Sequence, residues 1–475
     1  MQAKPLWTSQ ELVAATGGEL HGTINLPMNG VSIDSRSVAV GDIFVAIKGD
    51  VHDGHNFAKN ALQAGAGVAI VSQTNREILA AGPVLRVLDP LRSLEAMGRA
   101  ARQWNTGKSV AVTGSVGKTS TKEMLLIALS ASGKTHASTA SFNNHWGVPL
   151  TLARFPREAA FGVFEIGMSH SGEITPLVDM VKPQIAIITT IAASHLGHFT
   201  SLDKIAEAKA EIFSGVAPGG AAVINRDTPY FDFLAQCAAE QGIQNIISFG
   251  VHIHSDVCLK QVALHAACSC ISADVMGEAV TFKLGTPGQH MAVNSLAVLA
   301  TVKLMGADLA RASLALAQAK PPKGRGGQEL LKLPEGDVLL LDESYNANPQ
   351  SMVAALELLA TAAKSRKGRR IAVLGEMLEL GAFSADLHRG LARDLERTKV
   401  DCLFAAGPMM KHLWDNVSPS QQCAYANASS DLINKVVNYL RAGDSVVIKG
   451  SLGSKMGPVA HALRQRFASI QKEDN

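Results

Sequence analysis

Short apolar runs alternate with longer stretches in which apolar side chains return every third or fourth position, and the alternation persists through most of the chain. The runs at 109–114, 161–166 (FGVFEI), 185–190 (IAIITT) and 221–224 read as buried strands, while 201–216 (SLDKIAEAKAEIFSGV) reads as a helix and 285–306 (GTPGQHMAVNSLAVLATVKLMG) as a loop, a helix and a glycine stop. Beyond Lys320-Pro321-Pro322 the pattern restarts in DVLLLDESYNANP, RRIAVLGEMLELG, VDCLFAAG and DSVVIKGSLGSKM, each an apolar strand ending in a polar or Gly-rich loop. Such an order predicts largely parallel sheets with helices on both faces, which bind ligands at the carboxyl ends of their strands. Residues before Thr106-Gly107 read differently. They open with a helix from Thr8 to Thr16, followed by strand-like SIDSR (32–36) and DIFVAIK (42–48), a Gly/His/Asp loop in GDVHDGHNF, and a helix from Leu91 to Asn105. The expected fold class is α/β in three domains: a mixed N-terminal unit (1–107), a central unit with a mainly parallel sheet (108–320) and a Rossmann-like, doubly wound C-terminal unit (321–475).

One junction carries distinctive chemistry. In Ser109–Glu123, SVAVTGSVGKTSTKE, a strand ends in a glycine-rich turn that leads into the helical MLLIALS, the layout of a phosphate-binding loop. Glycine lets the backbone approach a polyphosphate, the new helix presents its N–H groups, Lys118 supplies a mobile charge and the Thr119 hydroxyl can ligate Mg2+. The usual spacing would place glycine where Val112 stands; here the first glycine is Gly114, and the loop shortens to TGSVGKT. ATP is the expected ligand. Glu165 closes an otherwise apolar strand and His195 follows another, so both are candidate metal ligands, because a buried carboxylate needs a partner or a metal. Lys209 falls on the apolar face of its helix with Leu202, Ile205, Ile212 and Phe213; it either snorkels to the rim of the core or serves a nearby metal site.

Composition narrows the class. With 475 residues the chain exceeds one core, and 47% hydrophobic against 18% charged residues excludes disorder. A net charge of +3 is too small to mark a nucleic-acid surface, and the basic run KSRKGRR (364–370) reads as a solvated connection. The N-terminal stretch has no signal-like apolar region and no run is long enough to span a membrane, so a cytoplasmic protein is expected. Six scattered cysteines without a C-x-x-C pair point to reduced, structural thiols rather than a zinc site or disulfide framework.

TGSVGKTS, FEIGMSHSGEI, SHLGHF followed by EAKAEIF, the helix start with His290 and Asn294, Gly324-Arg325, DESYNANPQSM and KGS together resemble, in order and spacing and across all three domains, the Mur ligase family of ATP-dependent amide-forming enzymes of peptidoglycan synthesis. SFNNHWGVPLTL, DESYNANPQSM and VLGEMLELG are most similar to the member that adds D-alanyl-D-alanine to a UDP-N-acetylmuramoyl tripeptide. The resemblance implies that the peptide carboxylate is phosphorylated by ATP, that the dipeptide amine attacks the acyl phosphate, and that phosphate leaves. It implies a UDP-sugar-binding first domain using Ser35, Arg36, Asp53 and His55, a central ATP-binding domain, and a C-terminal domain for the dipeptide. Gly114, Ser115, Val116, Gly117, Lys118, Thr119 and Ser120 would hold the triphosphate, Asn294 the adenine, Arg325 the phosphates and Asp342 the ribose, with Asn143 and Asn144 lining the peptide cleft. Glu165 and His195 would hold the second of two Mg2+ ions, and Lys209 matches a lysine that the family often carbamylates; with Lys118 these form the implied catalytic set. A monomer is expected, with no nucleic-acid partner. Met291, Leu452 and His170 depart from the family's usual asparagine, arginine and asparagine. Two other readings stand: a Mur-type ligase adding a single amino acid, and an ATPase switch that makes no bond.

Overall fold

The computed structural model describes residues 4–139, 141–194, 196–322 and 324–469, and among these the strands form three sheets. The first has β1 (Glu19–His21), β2 (Gly30–Ser32), β3 (Asp42–Val45), β4 (Val68–Val71) and β5 (Val84–Arg86) in the order β1-β5-β4-β3-β2, with β1 alone antiparallel. The central sheet comprises β6 (Lys108–Thr113), β7 (Thr135–Ala137), β8 (Phe161–Glu165), β9 (Ile185–Ile188), β10 (Ala221–Asn225), β11 (Asn245–Gly250), β12 (Val257–Leu264), β13 (Ser269–Val275) and β14 (Glu278–Leu284). Its order is β14-β13-β12-β11-β10-β9-β6-β8-β7, parallel from β7 to β12 and antiparallel thereafter. The third contains β15 (Gly327–Leu333), β16 (Gly336–Glu343), β17 (Arg370–Gly375), β18 (Cys402–Ala406), β19 (Gln422–Ala426), β20 (Ser445–Lys449) and β21 (Ala468–Ser469), ordered β19-β18-β17-β20-β16-β15-β21 with only β15 and β21 antiparallel to their neighbours.

The parallel strands are mostly apolar and buried because helices cover both faces: β9, β10 and β20 bury every residue, and β6 every residue after Lys108. The first unit docks on the central one through its last helix, Pro90–Trp104, which lies along Gly147–Ala153. A Cβ on Gly98 would stand 3.2 Å from both Leu152 Cβ and Pro149 O, so the small residue lets the helices close up. Trp7, fully buried, donates Nε1–H to Ala153 O at 2.8 Å, and Arg154 Nε donates to Val31 O at 2.6 Å. Leu150 and Ala153 belong to the same apolar core as Ile43, Val45 and Met97, so the two units share a core.

Four expectations need correction. SIDSR is not a strand beyond Ser32: Asp34 accepts from Arg36 N and holds its guanidinium at 2.7 Å, and this local side-chain turn wins over strand pairing. The helix at 201–216 is α-helical only over Leu202–Ala210 and tightens into a 3-10 turn over Glu211–Gly215, with Leu202 at 37% exposure rather than in the core. The basic run is not freely solvated. Arg366 pairs with Asp337, and Arg369 grips the buried Asp444 while lying over the Tyr439 ring. Cys402 and Cys423 are not free thiols but form a disulfide: they stand on adjacent strands β18 and β19 with Cα atoms 5.8 Å apart, a proximity that a separation of 21 residues cannot reveal. The other four cysteines are free. Among the described residues no helix is long and apolar enough to cross a membrane.

His136 on β7 donates Nε2–H to Thr151 O at 2.8 Å and stacks on Phe155, and its burial lowers the ring's pKa from 6.5 to about 4. The unfolded chain therefore takes up this proton at a higher pH than the folded one. Folding loses stability as pH falls through the unfolded value, and the loss levels off near the folded value. Cooling the comparison to one residue, His136→Gln should show a smaller drop in Tm than the parent between about pH 7 and about pH 4.5, measured by scanning calorimetry; identical drops would refute it.

Candidate active site

The carboxyl end of β6 opens into the loop 114–117, which is held between two side chains. Gly114 (φ +145°) passes so close to Thr189 that a Cβ would lie 1.9 Å from Oγ1, and a Cβ on Gly117 (φ +89°) would lie 2.4 Å from Asn294 Nδ2. Thr189 donates its hydroxyl to Val116 O at 2.6 Å. The helix Lys118–Ser130 starts directly after the loop, so its first N–H groups are available to an anion. Lys118 folds back and donates to Gly114 O at 2.6 Å. Burial lowers its pKa, Glu165 opposes that shift, and Arg325 adds to it.

Glu165 ends β8 beside this loop and is 1% exposed. Its Oε1 accepts from Thr119 Oγ1 at 3.1 Å and Asn143 Nδ2 at 2.7 Å, whereas Oε2 is buried without a partner. Lys209 is also 1% exposed; burial, and then the neighbouring Lys118 charge, push its pKa well below the ordinary lysine value. Among the described residues no carboxylate pairs with it.

Lys118, Thr119, Asn143 and Glu165 face a cleft of about 810 Å3 built by all three units. The central unit lines it with Ser115–Ser120, Ser141, Asn143, Asn144, Glu165 and Asn294; the first unit adds Arg92, Glu95 and Arg99; the third adds Arg325, Glu343, Tyr345, Asn346 and Lys449. The Arg325 guanidinium lies 4.3 Å over the Tyr345 ring, with Nη2 3.5 Å from Ser141 Oγ. Lys449, 2% exposed, donates to Asn346 O at 2.8 Å and to Glu343 Oε2 at 3.4 Å. His290 faces this pair from the central unit, and burial above all lowers its pKa.

The structure thus brings Gly117, Lys118, Thr119, Asn143, Asn144, Glu165, Asn294 and Arg325 to one cleft, with Lys209 behind them. Asp342 does not line it. Neighbouring residues of a strand point to opposite faces, so Glu343 meets the cleft while Asp342 turns inward, accepting from Ser344 N and Oγ and from Arg464 Nη2 at 2.9 Å. Ser35, Arg36, Asp53 and His55 lie on the first unit outside this cleft. There Asp53 Oδ1 accepts from His55 N at 3.0 Å and sits 2.6 Å from its Nδ1, and the His55 Nε2 accepts from Ser72 N at 3.0 Å. His195 lies outside the described residues. Met291 lines the cleft, and Leu452 is 67% exposed. Ser141, Glu343 and Arg92 were not identifiable beforehand: each is a common polar residue whose role comes from which unit faces it.

Family models match the chain in three blocks: "Mur ligase family, catalytic domain" at residues 27–105, "Mur ligase middle domain" at 112–302, and "Mur ligase, glutamate ligase domain" at 329–452. Over 457 residues the chain is 32% identical to the UDP-N-acetylmuramoyl-tripeptide–D-alanyl-D-alanine ligase of Rickettsia prowazekii, covering 96% of this chain and 99% of that one. Identity to the Escherichia coli enzyme of the same name is 32% over 459 residues, covering 96% and 98%. Among solved structures, MurF from Acinetobacter baumannii superimposes with a TM-score of 0.84 at 30% identity, covering 97% of this chain and 99% of that one. MurF ligase from Thermotoga maritima in complex with ADP gives 0.75 at 25% identity, covering 92% and 98%.

Lys118 contacts the loop and not the core, so Lys118→Ala should keep the parent's Tm to within a few degrees yet weaken Mg·ADP binding by roughly tenfold or more, the loss of one charge-assisted contact. Titration calorimetry checks this; unchanged affinity would remove Lys118 from the nucleotide site.

Proposed function

The chain belongs to the Mur ligase family, and from that premise we propose that it joins D-alanyl-D-alanine to a UDP-N-acetylmuramoyl tripeptide with cleavage of ATP to ADP and phosphate. The observation that carries this reading is the single cleft onto which the phosphate loop, a buried carboxylate and the ligand edge of the third sheet all open. A nucleotide switch would need only the first of these.

In this reading the 114–120 loop and the start of its helix bind the polyphosphate, and Lys118 exchanges its bond to Gly114 O for one to phosphate. Glu165 and Thr119 fit a Mg2+ ion: Glu165 Oε2 is buried and unpartnered, and the Thr119 hydroxyl is already directed at the same carboxylate. Among the described residues no cluster of three His, Cys, Asp or Glu side chains is assembled in advance, which suits Mg2+, a cation bound through few protein oxygens plus substrate phosphate and water. When bound, Mg2+ offsets the charge on the transferred phosphoryl group. Two ions are assigned, the second held by Glu165 with His195. Asn294 meets the adenine, and Arg325, held flat by Tyr345, reaches the phosphates from the third unit. Asp342 meets the ribose only on releasing Ser344 or Arg464. Asn143 and Asn144 orient the peptide carboxylate, and Ser35, Arg36, Asp53 and His55 receive the uridine diphosphate of the same long substrate. The third unit seats the dipeptide and shields the acyl phosphate from water.

Phosphate release should require both the UDP-muramoyl tripeptide and D-alanyl-D-alanine. A coupled phosphate assay against a panel of muramoyl peptides and amines tests this; equal turnover without an amine would favour the switch, and a preference for a single amino acid would favour a different member of the family.

Lys209 is assigned as a carbamate. Burial and the Lys118 charge lower its pKa and so favour the neutral amine, which adds CO2 to form an N–COO− group with release of one proton; the carbamate's negative charge then stands where an ammonium would be repelled by Lys118 and a metal. Lys209→Ala should fold normally, lose roughly a hundredfold or more in kcat as expected for a group supporting the reacting centre, and regain part of it in acetate or formate. Full activity without the lysine, or no rescue by any small carboxylate, would make Lys209 a structural residue.

A further inference from the structure

The loop 376–383, between β17 and the helix Ser384–Arg397, crosses from the third unit to the central one. Its near end is fastened to the strand ends that carry Asn346 and Lys449. Ser451 N donates to Glu376 O at 2.9 Å, Leu378 N donates to Ser451 Oγ at 2.9 Å, and that hydroxyl donates to Ala347 O at 3.3 Å. Its far end meets the central unit backbone to backbone: Gly197 N donates to Glu379 O at 2.7 Å. The approach is close because both chains have glycine there. A Cβ on Gly197 would stand 3.2 Å from Glu379 O and 3.3 Å from Gly381 N, and Gly381 itself holds φ +56°. His388 fixes the loop's course, accepting from Met377 N at Nε2 (3.0 Å) and donating from Nδ1 to Ser384 O (2.7 Å).

From Gly197 the chain leads back to the phosphate loop. Leu196 and Phe199 are rooted in the central core, and the partly buried Leu387 of the third unit packs against both that core and the third unit's own. Ser115 Oγ donates to Ala192 O at 2.9 Å and accepts from Ala192 N at 3.0 Å, and Ser115 N donates to Thr190 O at 2.9 Å. Shifting the third unit at this contact therefore either breaks the Gly197–Glu379 bond or pulls on the chain that leads back to Ala192 and Thr190, where Ser115 of the phosphate loop is hydrogen-bonded. Packed backbone contacts of this kind switch between arrangements instead of stretching.

We propose that loop 376–383 is a strap through which the amine-binding edge of the third sheet sets the phosphate loop, with Gly197, Gly381 and Ser451 as positioning residues. The proposal deepens the ligase reading and rests on it. A strap cut at either end is cut once, so damage at the two ends is not additive.

The test uses the full chain, steady-state ligation and Mg·ADP titration. Gly197→Val drives a branched side chain into Glu379 O and should lower kcat roughly tenfold and weaken Mg·ADP binding by about threefold or more; Ser451→Ala should shift both in the same direction, and the double variant should be no slower than the slower single one. Multiplying losses, or a Gly197→Val enzyme with parental kcat, overturns the strap. If the valine variant does not fold, Gly197→Ala, a milder wedge at the same contact, is put through the same cycle under the same criteria. Failure of the parent to ligate any amine would instead overturn the reading under Proposed function, so the two failures are distinct.

Discussion

One carboxylate and two lysines, the buried Glu165 and Lys209 and the partly buried Lys118, are gathered beside the carboxyl ends of the central strands. Removing charge from water is costly unless the charge is paired and hydrogen-bonded, and none of the three is fully provided for. Glu165 has one satisfied oxygen and one orphan, Lys118 has only a carbonyl of its own loop, and Lys209 has no described carboxylate. Glu165 is fixed at the end of the buried strand β8, Lys118 at the start of the helix that follows β6, and Lys209 in the helix Leu202–Ala210, so the backbone holds the groups where side chains alone would relax apart. The orphaned Glu165 oxygen and the free N–H groups at the start of the Lys118–Ser130 helix are where a cation and an anion would find partners, so the electrostatic cost of the site falls where it is open to ligands.

The three units contribute unequally to this arrangement. The central sheet supplies the loop and the buried charges. The first unit shares a core with it and extends the cleft through Arg92, Glu95 and Arg99. The third unit presents Arg325, Tyr345 and the Glu343–Lys449 pair from across the gap, so its part of the cleft depends on how it docks.

Much of this was legible in the residues because it is written in local patterns. Alternating apolar runs and amphipathic segments have a period that only strand–helix layers satisfy, and the α/β class with parallel sheets follows from it. The glycine-rich turn between strand and helix, the carboxylate closing FGVFE and the lysine on an apolar helix face are each anomalies against such a pattern, and the structure brings them together. Less could be read where short-range chemistry or long-range proximity decides. Asp34 captured Arg36 and curled SIDSR into a turn. Cys402 and Cys423 became neighbours only when β18 and β19 paired. Asp342 and Glu343 are adjacent in sequence, yet the pleat sends one inward and the other to the cleft, and no periodic signal could say which until the register of β16 was known.

The docking of the first unit has a consequence for timing. With Trp7 anchored to Ala153, the Gly98 helix pressed onto Gly147–Ala153 and a core in common, those two units behave as one body. The third meets that body through loops and isolated side chains. Relative motion is thus concentrated at one joint, where the third unit meets the central one, and a motion of that kind runs on the microsecond-to-millisecond scale typical of hinged domains. The upper bound on how often the cleft can empty and refill is then set by a swing of roughly a third of the molecule, independent of how fast bonds are made within it.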